Sequence, residues 1–336
     1  MNTRPMPLRR LRAALVAVAA VSMLATSPAI AADIKLKIAS IAPPSTPWAK
    51  MVKRIKKTFK KSVPTGLKVK TYLGGALGGE KDLVQRCMSG GLGMIGVTSA
   101  AIATVVPELN VLELPYMWTS EKQVDKALAG PLGDKLKIAL EKKGFVLYVW
   151  AENGFRHFAT RDRFVHQVKH LKGLRMRAQP SYVHTSMYKA FGAAANPMPA
   201  PEVPGALSSG VVDGYDNSLL YAYATQWYGN IKYLTLSGHI YQPAVIMFCK
   251  KVYDKLPPAM QKTMLGQAAK IQKAGRAMVR SGNRAALKQH KLKGVLVEKQ
   301  KNPAAFKAKA KTVWTEFVRK TPGGADLLKL AKQAAR

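Results

Sequence analysis

The chain has 336 residues, and its 54 lysines and arginines outnumber 18 aspartates and glutamates to give a formal net charge of +36. A field of that sign attracts anions, so it suits a small carboxylate ligand or an anionic membrane surface. The lysines are scattered along amphipathic segments and not gathered in one block, which argues against nucleic acid and reads mostly as solvated helix faces.

The first segment sets the expected compartment. Arg4, Arg9, Arg10 and Arg12 precede an apolar run over residues 13–25, and Ala29-Ile30-Ala31 follows. This is the pattern of a secretory signal peptide over residues 1–31, cut after Ala31, and it predicts a periplasmic protein. The run falls short of the roughly 20 residues that a membrane span needs. The remainder is long enough for one large domain or two medium ones.

Residues 34–39 alternate apolar and charged, as in a half-buried strand. Thr46 caps a helix that starts at Pro47, with Trp48, Met51, Val52, Ile55 and Phe59 on one face and lysines opposite. A second strand covers 67–72. The glycine-rich loop 74–79 then opens a helix at Glu80 that runs to about Ser89, and a third strand covers 94–97. The alternation predicts an α/β fold with a parallel or mixed sheet, and ligands at the carboxyl ends of its strands.

After Leu114-Pro115-Tyr116-Met117-Trp118 the pattern resumes, with strands at 145–150 and 174–178 and a helix at 183–191. No Ser- or Pro-rich linker intervenes, so the expectation is two lobes joined by short hinge strands: 32–153 with 242–281, and 154–241 with 282–336. Ligands favour the cleft between such lobes. A helical pattern over 260–291 is long enough to bridge both lobes. A strand at 294–297 and two short surface helices complete the reading.

Motifs for enzymatic chemistry are missing. Gly91-Leu92-Gly93-Met94-Ile95-Gly96 matches G-x-G-x-x-G, but a helix precedes it and a strand follows, the reverse of a dinucleotide fingerprint. His166 and His170 have a zinc-like spacing without a third ligand. No G-x-S-x-G elbow, P-loop or C-x-x-C occurs, and no cofactor or metal is expected. The two cysteines, Cys87 and Cys249, could pair in an oxidising compartment or stay as separate buried thiols, and both readings stay open.

Three polar positions stand out. Arg156 follows Glu152-Asn153-Gly154-Phe155, just where the second lobe is expected to begin, and a hinge position faces the cleft. Strand alternation puts Arg175 and Arg177 on one face, with Leu174 and Met176 on the other. Asn217 ends a short strand after the turn-rich stretch 210–216. A guanidinium matches two carboxylate oxygens with a planar fork, which a lysine cannot do.

Several strings together resemble the solute receptors of tripartite ATP-independent periplasmic (TRAP) transporters. They are Leu77-Gly78-Gly79-Glu80, Leu114-Pro115-Tyr116, the stretch Leu171-Lys172-Gly173-Leu174-Arg175-Met176-Arg177, the run from Glu202 through Gly214, and Lys255-Leu256-Pro257. The resemblance implies a two-lobed periplasmic binding protein fold and a non-catalytic receptor that delivers an organic carboxylate to a TRAP membrane permease. It carries the family's carboxylate-binding arginine onto Arg177, its supporting arginine onto Arg156, its binding asparagine onto Asn217, and the glutamate of the glycine-rich loop onto Glu80. Trp150, Tyr215 and Tyr221, with Tyr182 and Trp227, are placed as cleft-lining aromatics. The chain departs from the family in its basic charge and in Tyr215-Asp216 beside Asn217. Dicarboxylate, keto acid and aromatic acid remain alternative ligands.

Overall fold

Strand β1 (Ile34–Ser40) buries Leu36 and Ile38 and exposes Lys35 and Lys37, as its alternation predicts. It opens the computed structural model, which describes residues 34–336. The expected signal peptide and its cut after Ala31 lie outside the described residues. Helix α1 (Pro47–Ser62) starts at the expected cap, where Thr46 Oγ1 accepts from the Ala49 N–H. It lays Trp48, Met51, Val52, Ile55 and Phe59 on β1 and β2 (Leu67–Tyr72). Each of these side chains contributes about 1.5–3 kcal/mol on leaving water. Helix α2 (Glu80–Ser89) and strand β3 (Met94–Thr98) follow within a residue of expectation.

Helices α3 (Glu121–Leu128) and α4 (Pro131–Lys142) lead into β4 (Phe145–Thr160). Beyond it come β5 (Arg175–Ala178), α5 (Tyr182–Phe191), β6 (Ala194–Pro197), β7 (Gly214–Ser218) and α6 (Leu219–Ala224). Strand β8 (Tyr233–Cys249) then returns antiparallel to β4 and parallel to β9 (Leu296–Lys299). The mixed nine-stranded sheet runs β2-β1-β3-β8-β4-β7-β5-β6, with β9 beside β8.

The short hinge strands of the sequence reading are corrected to two long ones. β4 spans 16 residues and β8 spans 17, and both run through the middle of the sheet. Gly154, with φ +95°, stands at a β-bulge in β4 that puts the chain out of register with β8. Pro243 hides β8 in the sequence. It lies between the stretch paired with β3 and the stretch paired with β9, where neither strand bonds to it.

The expected 260–291 helix is two: α7 (Pro258–Leu265) and α8 (Ala268–Leu292), interrupted at Gly266-Gln267, where glycine favours a break. Helix α8 packs on α1, β4 and α6. Its Ile271 and Val279 enter the core under α1, and its Ala286 enters a second core with Tyr215 and Trp227. The expected short surface helices are also corrected. α9 (Pro303–Lys320) buries Phe306, Ala310, Val313 and Phe317 against α5, and α10 (Gly324–Ala334) packs on α3 and α4. Lysines at the intervening positions masked that apolar stripe.

Candidate functional site

The carboxyl ends of four strands converge on one cleft: Ser40 from β1, Thr98 from β3, Arg177 from β5 with Gln179 just beyond its end, and Asn217 from β7. Its volume is about 530 Å³, within the range of small-molecule sites. Glu80, Arg156, Arg177, Asn217 and Tyr221 all line it, so five residues from distant parts of the sequence meet there.

Arg156 lies mid-strand in β4, opposite Ser218 of the neighbouring β7. Its Nε donates to Asp216 Oδ2 at 2.5 Å, one terminal nitrogen donates to the Asp216 carbonyl, and the other donates to Gln242 Oε1 at 2.8 Å. Both members of the ion pair are buried. Burial opposes the Arg156 charge, but Asp216 and Glu113 outweigh it and raise the pKa above the ordinary value. Burial likewise opposes the Asp216 charge, and Arg156 with the neighbouring His239 and His184 holds that carboxyl well below the usual range.

Arg177 is arranged differently. It is 3% exposed, donates through Nε and a terminal nitrogen to the Met198 carbonyl at 3.2 and 2.9 Å, and stacks its guanidinium 5.4 Å from the Trp227 ring. Among the described residues no carboxylate comes within ion-pair distance of it. Burial, with repulsion from Arg156, lowers its pKa to about 10. An uncompensated guanidinium at the cleft wall favours an anion as its partner.

Asn217 Oδ1 accepts from the Ser218 N–H at 2.8 Å, and its Nδ2 makes no hydrogen bond among the described residues. Ser218 Oγ, also at the cleft wall, has no hydrogen-bond partner among the described residues. Glu80, at the start of α2, accepts from the N–H and hydroxyl of Thr98 at 2.7 and 2.8 Å. Its pKa is raised by burial, partly offset by those bonds. Gln179 joins Glu80 and Thr98 to Gln242, and Gln242 reaches Glu113 at 2.8 Å. These polar groups thus form one hydrogen-bonded network along the cleft. Gln179 stands two residues beyond Arg177, a period-two signal the sequence offered. Gln242 lies in the unrecognised β8 and gave none.

Four of the five expected lining aromatics are elsewhere. Trp150 is 6% exposed in the core, and Tyr215 is packed edge-on against Trp227 behind the cleft wall. On β7, Asp216 takes the face with Arg156 and Tyr215 the opposite one, which explains the pair beside Asn217. Tyr182 faces α9, where Lys320 sits over its ring. Trp227 is buried and acts from behind, through Arg177. His166 pairs with Glu298 at 3.0 Å, and its main-chain N–H donates to His170 Nδ1. Cys87 and Cys249 form a disulfide between α2 and the end of β8, which resolves the pairing.

The sequence and the fold are similar to those of known proteins. Residues 38–321 match the model of bacterial extracellular solute-binding protein, family 7 (DctP). A solute-binding protein of Verminephrobacter eiseniae is 35% identical over 264 residues, 77% of this chain and 79% of its own length. The 2,3-diketo-L-gulonate-binding periplasmic protein YiaO of Escherichia coli is 29% identical over 78% of this chain and 80% of its own. The sugar acid binding protein DctPAm of Advenella mimigardefordensis, solved with galactonate, superposes with a TM-score of 0.85 at 30% identity, covering 90% of this chain and 99% of that one. The resemblance read from the sequence and the two-lobed α/β fold it implied are borne out. With its cleft at the strand ends and a family match across most of its length, this chain is a member of the bacterial extracellular solute-binding proteins of family 7.

Proposed function

We propose that the protein is a periplasmic, non-catalytic receptor that captures a hydroxylated monocarboxylate in the cleft and delivers it to a TRAP-type membrane permease. The observation that carries the reading is Arg177, a buried guanidinium in the cleft wall with no acidic partner among the described residues. The ligand carboxylate takes its fork, Asn217 donates through Nδ2, and Glu80 and Ser218 meet hydroxyl groups. Arg156 is already neutralised by Asp216, so it positions Asn217 and the network and does not hold a second carboxylate. Glu80 further disfavours a second negative charge. One relative is named for 2,3-diketo-L-gulonate, another for C4-dicarboxylates, and a structural neighbour holds galactonate, so the preference for a polyhydroxy or keto monoacid rests on the neutralised Arg156 and on Glu80.

Export would follow from the signal peptide cut after Ala31. Residues 32–153 with 242–281 would form one lobe and 154–241 with 282–336 the other, α10 packing back onto α3 and α4 of the first. β4, β8 and α8 would carry the closing motion. The test is a thermal-shift screen of the chain from Ala32, refolded free of carried-over ligand, against aldonates, uronates, keto acids, succinate and neutral sugars. An acid at about 100 times its dissociation constant should add roughly 2.7 kcal/mol of stability. Stabilisation by neutral sugars alone, or by succinate above every monoacid, would overturn the reading.

A further inference from the structure

The excess charge is not spread evenly. Helices α1, α7 and α8 cover one face of the sheet, share one core, and contain no aspartate or glutamate. Their outward sides carry Lys50, Lys53, Arg54, Lys57, Lys60 and Lys61 on α1, Lys262 on α7, and Lys270 and Lys273 on α8, all exposed. None of these takes part in an ion pair among the described residues. Other cations of α8 do: Arg276 and Arg280 turn inward to Asp125, and Arg280 also to Glu152. The helix therefore separates cations with an internal partner from cations that face outward without one.

We infer that this helical layer docks on an anionic phospholipid bilayer, independently of what the cleft binds. The layer follows α1 for about 24 Å, and it is a broad face, not a groove. The large apolar side chains left exposed are aliphatic, and one of them, Leu265, ends α7. A single-stranded nucleic acid would need aromatic stacking platforms that this exterior does not offer. At the end of α1 a hollow of about 320 Å³ has Lys60 and Lys68 at its lining together with the apolar Val63, Pro64, Leu67 and Val69. Clustered lysines and arginines beside anionic lipid each add to the attraction, and salt screens it.

The test is co-sedimentation of the chain from Ala32, which contains the whole compact unit, with vesicles of phosphatidylcholine carrying about one-third phosphatidylglycerol, or of phosphatidylcholine alone. One variant replaces Lys53, Arg54, Lys57, Lys60, Lys61 and Lys273 with glutamine. A control variant removes the same charge at Lys135, Lys137, Lys142, Lys307, Lys309 and Lys311. The inference expects binding to the anionic vesicles only, loss of that binding as salt rises to about 0.5 M, and a partition constant lowered at least roughly tenfold in the layer variant but much less in the control. Equal losses in both variants, or binding to neither vesicle, would overturn it. So would a layer variant that loses affinity for duplex DNA while keeping that for vesicles.

Discussion

Arg156 and Asp216 cancel one another inside the cleft wall: Nε and Oδ2 lie 2.5 Å apart, and both side chains are buried. Tyr188 donates to the other carboxylate oxygen at 2.8 Å. This pair leaves Arg177 as the buried cation of the cleft without a carboxylate partner among the described residues. Removing one member of a buried pair strands the other, at a typical cost of 3–5 kcal/mol. Asp216→Asn should therefore lower the stability of the ligand-free protein by about that amount in chemical unfolding. A change below about 1 kcal/mol would mean the pair is not maintained in solution.

Glu80 sets a pH dependence of definite sign. Burial raises its folded pKa above the ordinary carboxylate value of 4.5. The folded chain then binds the proton more tightly than the unfolded one, so the contribution of Glu80 to stability falls as pH rises from 4.5 through the folded value. Glu80→Gln should flatten the melting profile over that window. Parallel profiles for the two proteins would contradict the assignment.

The disulfide closes a separation of 162 residues between Cys87 and Cys249. Loop-closure entropy gives such a bridge about 3–5 kcal/mol. The double variant Cys87→Ala/Cys249→Ala should lose about that much in urea unfolding, while the intact protein resists brief treatment with reductant because both sulfurs are buried. Equal stability of the two proteins would show that the bridge does not form in solution.

Gly154 carries a positive φ at the bulge of β4, and a Cβ there would stand 2.7 Å from Asn283 Nδ2. Asn283 itself donates to the Asn153 carbonyl at 2.9 Å and accepts from the Leu220 N–H at 3.0 Å, tying α8 to β4 and α6. Gly154→Ala should cost about 1–3 kcal/mol and weaken ligand binding along with it, measured by unfolding and calorimetry. Gly144→Ala, where no atom would meet the new Cβ, separates backbone strain alone from strain combined with that clash.

The elements built on local signals were readable in the sequence. Thr46-Pro47 marked α1, the glycine loop marked α2, and strand alternation put Arg177 on the opposite face from Met176. β8 was not readable, because Gly238 and Pro243 break its pattern and its pairing is entirely long-range. With β8 unseen, Gln242 could not be placed beside Arg156. Its neutraliser, Asp216, is 60 residues away and was visible only as an oddity beside Asn217. Trp150 and Tyr215 were misplaced because an aromatic's spacing does not reveal whether its face of the strand meets the cleft or the core.

The central claim is that Arg177 holds the ligand carboxylate. The most direct measurement is titration calorimetry of wild type, Arg177→Lys and Arg177→Met with the acid that stabilises the wild type best and with its amide. A charge-assisted contact is worth about 1.5–3 kcal/mol, so Arg177→Met should weaken the acid by one to two orders of magnitude or more, and lysine should recover only part. Because it removes a buried cation, Arg177→Met should unfold no more easily than wild type without ligand. Affinity for the acid unchanged in Arg177→Met, or an amide bound as tightly as the acid by wild type, would contradict the account.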